Sequence, residues 1–195
     1  ADLNIRACNT GMLSETETVE TVFANVRQYD FGPLIVDPVM IAKGGAHLLT
    51  DEAISTVRTK LLPLADLVTP NLPEAEALAE MTIKNNVDMK KAGQRLQALG
   101  AKNVLVKGGH FNDQKQASDF VLLADGSSFW MSSPRIDTKR THGTGDTISA
   151  CITAELAKGV SMENAIRIGK AYVEATIRDD IQVGHGHGPL NHWAV

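Results

Sequence analysis

The chain has little cysteine: its 195 residues hold two, Cys8 and Cys151, far apart and in no CxxC pattern. That excludes a disulfide framework and a thiolate metal cluster, and the expectation is reduced thiols in a cytoplasmic protein. Aromatic residues make up only 5%, and the formal net charge is −4. No basic surplus points to nucleic acid. No apolar run approaches the roughly 20 residues that a membrane-spanning helix needs, so no membrane partner is expected. There is no GxxxxGK[ST], which excludes the phosphate loop of P-loop proteins. Repeats, low-complexity tracts and linkers are also missing, and residues 1–195 read as a single domain.

What is present is a 43% apolar chain in which strand and helix patterns alternate. Residues 14–29 carry Val19, Val22, Phe23 and Val26 at helical spacing, with Ser14 expected as N-cap and Glu17 as its capping-box partner. The run 33–40 is apolar and β-branched and reads as a buried strand ending at Asp37–Pro38. Residues 51–65 predict a helix and 66–70 a second strand. Residues 72–81 predict a helix with Pro73 in its first turn. The segment 87–100 is a helix closed by Gly100, and 103–109 is a third buried strand. A hairpin follows around Asp125–Gly126. Two helices complete the pattern, one after Gly145 and one over 162–178. Such alternation predicts an α/β fold, a three-layer α/β/α sandwich with a mostly parallel sheet covered on both faces. Ligands of such folds sit at the carboxyl ends of the strands.

The residues just past those strand ends are therefore the candidates. Gly143, Thr144 and Gly145 precede a helix whose first amides lack internal partners and whose dipole is positive there. That makes an anion site; a plain cap by Thr144 or Asp146 is the alternative. Asp146 beside a bound phosphate would be a repulsive neighbour unless it takes a proton from an attacking hydroxyl. Asp37 and Glu74 are acids at strand ends suited to Mg²⁺, which takes few carboxylates plus water and phosphate oxygens. Asn71 and Glu74 would face one site at a helix start, or simply cap that helix. Lys107 ends a strand before two glycines and would reach a phosphate, or be solvated. The Lys43 loop reads as a lid or an ordinary exposed loop. His185, His187 and His192 are conceivable metal ligands, but no Cys or acidic partner lies among them, and the glycines between point to backbone constraint instead. Met12 lines an apolar pocket for a flat ring, or belongs to the core.

Six stretches, TGML, VDPVMIAKGG, LVTPNLPEAEAL, VLVKGGH, RTHGTGDTIS and GHGHGPLNH, stand in one order. In that order they resemble bacterial hydroxymethylpyrimidine/phosphomethylpyrimidine kinases, of the ribokinase-like superfamily and of thiamine biosynthesis. The resemblance covers nearly every residue. It implies a ribokinase-like fold, with ATP and Mg²⁺ as cofactors and a pyrimidine alcohol as substrate, phosphorylated first on its hydroxymethyl and then as the monophosphate. It implies a homodimer. By the same resemblance Gly143 and Gly145 help form the anion hole and Asp146 is the general base. Asp37 and Glu74 stand near the metal. Asn71, Lys107, Thr141 and Lys170 stand near the nucleotide, and Met12 packs on the pyrimidine. Many of these kinases have cysteine at the position of Asp146; aspartate is usual in the wider superfamily, including many pyridoxal kinases. Pyridoxal kinase is therefore the rival activity, and a non-catalytic nucleotide- or vitamer-binding relative the rival class. The family also carries a glycine-rich segment and N-terminal strands ahead of the point matched by Ala1, so the expectation is a chain lacking those strands, the later part of a longer natural protein.

Overall fold

The structure, a computed structural model, describes residues 2–41, 48–109, 115–183 and 188–194. The Lys43 loop, His110, His185 and His187 lie outside the described residues.

Six strands form one sheet in the order of the sequence: β1 (Cys8–Thr10), β2 (Leu34–Val36), β3 (Leu67–Val68), β4 (Asn103–Val106), β5 (Gln116–Leu122) and β6 (Ser128–Pro134). The pairs β1–β2, β2–β3 and β3–β4 are parallel, while β4–β5 and β5–β6 are antiparallel. Only β5 therefore runs against the other strands. The strand period of two sorts their side chains to opposite faces. Leu34, Val36, Val68, Val104, Val106 and Phe120 join one core, and Ile35, Leu67, Leu105 and Val121 join the other. Helices α1 (Thr16–Gln28), α2 (Asp51–Thr56), α3 (Leu72–Ala79) and α4 (Asn86–Ala98) contribute to the first core. Helices α5 (Thr144–Ala157) and α6 (Met162–Arg178) contribute Ile148, Ile152, Ala165, Ile166 and Val173 to the second. A sheet buried on both faces explains the unbroken apolar runs of β2 and β4. The three-layer α/β/α expectation holds, with a mixed rather than wholly parallel sheet. Among the described residues no helix is long and apolar enough to cross a membrane.

Two local expectations are corrected. The N-cap of α1 is Glu15, with no side-chain cap bond, and Ser14 sits at φ +56°. An N-cap needs extended backbone, so a left-handed Ser14 does not open a capping box with Glu17. The single helix expected over 51–65 is three pieces: α2, a wide turn over Val57–Leu61 and a 3-10 turn over Leu62–Leu64. Pro63 has no amide to donate at the end of this stretch, which leaves no regular helical ladder there.

Phe120 is fully buried, its ring 5.0 Å from that of Trp130. On its other side Gly93 of α4 lies so close that a Cβ there would be 3.0 Å from Phe120 Cε1. Truncating the ring leaves a cavity that neither neighbour fills. Phe120→Ala should cost about 3–5 kcal/mol by denaturant unfolding, and a loss under about 1 kcal/mol would contradict this packing.

Candidate active site

The carboxyl ends of β2, β3 and β4 deliver Asp37, Thr69 and Lys107 to one spot, and the start of α5 lies over it. Asp37 is 2% exposed. Its Oδ1 accepts from Lys107 Nζ at 3.0 Å and from Thr69 Oγ1 at 3.2 Å. Its Oδ2 lies 3.4 Å from Ser149 Oγ of α5. Gly145 closes the group: a Cβ there would stand 3.2 Å from Lys107 Nζ and 3.6 Å from Asp37 Oδ2. Glycine at 145 lets the first turn of α5 descend onto the ion pair.

The opening of α5 lacks the plain cap that Thr144 or Asp146 would have supplied. Helices α2, α3 and α4 are capped by the side chains of Thr50, Asn71 and Asn85, whereas α1 and α6 have no side-chain cap bond. Helix α5 opens on Gly143 at φ +84° with no side-chain cap. The Thr144 hydroxyl donates to Thr141 O instead, at 3.3 Å, and Asp146 is exposed. Thr147 donates both its amide and its hydroxyl to Gly143 O, at 2.9 and 2.7 Å, which fixes the turn. The first amides of α5 are left for solvent or an anion.

The capping reading of Asn71 and Glu74 holds. They form a capping box on α3: Asn71 Oδ1 accepts from Glu74 N at 3.0 Å and Glu74 Oε2 from Asn71 N at 2.8 Å. Glu74 Oε1 also accepts from Met40 N at 3.1 Å, tying down the chain beyond Asp37. Burial pushes the Glu74 carboxyl above its ordinary value, Lys107 and the amides pull it down, and Asp37 pushes it up again. Glu74 thus shares the field of Asp37 and Lys107. Asn71 pairs with Lys107 through a β-bridge.

The remaining candidates are spread wider. Lys170 of α6 is bound to Asp119 Oδ2 of β5 at 2.8 Å and to Glu174 Oε1 at 3.4 Å. Thr141 is half-buried just before the α5 turn. Met12 follows β1 at the same sheet edge, since Asp37 N donates to Thr10 O at 3.1 Å. It is 54% exposed, not part of the core. His192 lies against Tyr172, whose hydroxyl donates to its carbonyl at 2.8 Å. Among the described residues no group of His, Cys, Asp and Glu is arranged to hold a metal by itself. Asp37 and Glu74 instead fit Mg²⁺ of the kind held chiefly by phosphate oxygens and water, with one or two carboxylates beside them. Sequence reasoning missed Thr69, Ser149 and Asp119. Asp119 had a signal, an acid directly ahead of the apolar end of β5; the other two had none.

A sheet whose carboxyl edge gathers a lysine, buried acids and an open helix N-terminus defines a phosphotransferase of ribokinase-like fold. The sequence model of the family described as "Phosphomethylpyrimidine kinase" matches residues 1–191. The chain belongs to that family, and it is a kinase. A hydroxymethylpyrimidine/phosphomethylpyrimidine kinase of Haemophilus influenzae is 50% identical over 195 residues, covering 99% of this chain and 72% of that protein. A thiamine biosynthesis bifunctional protein of Geobacter sulfurreducens is 45% identical, over 98% of this chain and 39% of that one. An ADP complex of Bacillus subtilis pyridoxal kinase superposes with a TM-score of 0.88 at 36% identity, over 96% of this chain and 70% of that one.

Neither cysteine has the setting of a reactive thiol. Burial pushes both up, Cys8 further through Asp66 and Cys151 further through Glu155. The thiolate is the reactive form. At pH 8 both should react with an aromatic disulfide reagent several-fold more slowly than free cysteine. Labelling of either at the rate of the free amino acid would contradict its placement.

Proposed function

We propose that this kinase transfers the γ-phosphoryl of ATP to the hydroxymethyl oxygen of 4-amino-5-hydroxymethyl-2-methylpyrimidine, and then phosphorylates the resulting monophosphate, in thiamine biosynthesis. The observation that carries the reading is the glycine-opened, uncapped start of α5 over the Asp37–Lys107 pair. In this reading the amides that follow Gly143 and Gly145 hold the migrating phosphoryl, where the helix dipole favours negative charge. Lys107, already at that turn, counters charge on the phosphates. Asp146, exposed on the first turn of α5, collects the hydroxyl proton. As the substrate oxygen bonds to phosphorus, the bond from phosphorus to the bridging oxygen breaks and ADP leaves. A carboxylate with a reference pKa near 3.9 is a weak base for an alcohol. The proton therefore moves late, when the attacking oxygen has become acidic, as a loose transition state allows. Asp37 and Glu74 would face Mg²⁺, which when bound would neutralise charge on the phosphates. Asn71, Thr141 and Lys170 would stand along the nucleotide, and exposed Met12 would lie on the pyrimidine. On the family resemblance alone we further propose a homodimer in the cytoplasm.

Pyridoxal phosphorylation is the second reading, favoured by the likeness to the Bacillus pyridoxal kinase and by aspartate at 146. Mass-spectrometric product identification with ATP and both alcohols decides between them. The pyrimidine should be turned over faster; a large preference for pyridoxal would reverse the assignment. Asp146→Asn should lower kcat by about 100-fold or more with ADP affinity changed little. Unchanged turnover in that variant would remove Asp146 as the base.

A further inference from the structure

Asp119 is a buried acid where β5 enters the core: Phe120 and Val121, which follow it, are fully buried and apolar. Burying a carboxylate is costly unless each oxygen is satisfied. Both are. Oδ1 accepts from the amide of Gly108 at 2.8 Å, and Oδ2 from Lys170 Nζ at 2.8 Å. The two partners belong to separate elements, the turn after β4 and helix α6. Gly108 directly follows Lys107, whose ammonium lies under the first turn of α5. Lys170 directly follows Gly169, which is pressed on α5: a Cβ at 169 would be 2.7 Å from Ile152 Cγ1 and 3.3 Å from Ile148 O. Ile148 is one turn into α5. Gly108 is equally constrained, since a Cβ there would be 1.9 Å from Ser118 O of β5.

We propose that Asp119 is a positioning residue: one carboxylate, gripping the turn after Lys107 with one oxygen and Lys170 with the other, sets the distance between the lysine that the proposed function puts at the phosphates and the lysine that it puts along the nucleotide. It touches neither substrate nor nucleotide. Without its charge Lys170 has Glu174 as its remaining carboxylate among the described residues, one turn further along the same helix, and would lean towards it. The inference rests on the kinase reading for what the lysines hold, and on geometry alone for their coupling.

The test is a double-mutant cycle in the natural protein. Asp119→Asn keeps the shape and an oxygen for Gly108 but removes the charge that aims Lys170. It should lower kcat/KM for ATP about tenfold with the KM for the alcohol unchanged. In a Lys170→Met background the same substitution should change kcat/KM for ATP less than twofold, because coupled residues are non-additive. Penalties that simply multiply would overturn the proposal. ADP affinity by calorimetry gives the same cycle without turnover. An enzyme inactive on both alcohols but coupled in ADP binding would sink the kinase reading and keep this one; activity without coupling would do the reverse. Glu174→Gln, at a partly exposed position, guards against a poorly folding Asp119 variant: it should leave the KM for ATP within twofold, and a tenfold rise would show that Glu174, not Asp119, aims the lysine.

Discussion

The arrangement depends on a carboxylate and an ammonium meeting 3.0 Å apart, both largely buried, where β2 and β4 end. Removing either ion from water costs several kcal/mol, and the attraction between such a pair seldom does more than break even. Stability is therefore a poor explanation for Asp37 and Lys107. Apolar side chains of similar volume would hold these strand ends together as well. Their value is positional. Thr69 and Ser149 add hydroxyls around the carboxylate, and Gly145 brings α5 down onto the pair. Three strands and a helix from the opposite face of the sheet are thus referenced to one ion pair.

In the proposed function that pair would also set the charge balance for an incoming polyphosphate. Asp37 and Glu74 bring two negative charges within each other's field, against one lysine. Glu74 is 3% exposed, and burial raises its carboxyl towards the protonated form. An anion placed here would meet repulsion from both acids. It is attracted by Lys107 and by the N-terminus of α5, which carries roughly half a positive charge. Polyphosphate alone is a poor match for this edge. Polyphosphate carrying a divalent cation is a better one, because the cation offsets the two acids while the lysine and the amides engage the outer oxygens.

The fold was legible because burial on both faces of the sheet imposes a pattern that the sequence carries locally. "LIV" of β2 and "NVLV" of β4 are too short and too apolar to be surface elements, and the helices between them have ordinary amphipathic spacing. Asn71 and Glu74 were legible as a cap for the same local reason. The bond from Met40 to Glu74 and the pairing of Asn71 with Lys107 span more than 30 residues of sequence, and no local pattern shows them. Ser149 and Thr69 were invisible, because a serine inside a helix and a threonine after a strand have many unremarkable uses. Ser14 was misread because its left-handed backbone, which decides the matter, leaves no mark in a Ser-x-x-Glu pattern. The break after α2 was missed because Leu62 and Leu64 continue the apolar spacing through Pro63.

Glycine content shows the same division between pattern and contact. The stretch after β4 places Gly108 and Gly109 side by side, and sequence alone treats them as one flexible unit. They are not equivalent. A Cβ at 109 would meet nothing within 4 Å, whereas one at 108 would overlap the carbonyl of Ser118. Gly108 is there because the turn presses on β5 closely enough for its amide to reach Asp119, and Gly109 carries no such requirement. The turn is held by a contact rather than by permissive backbone. That contact leads from the Lys107 end of the site through β5 to Lys170, so a residue outside the proposed phosphate contacts can still govern where two positive charges stand.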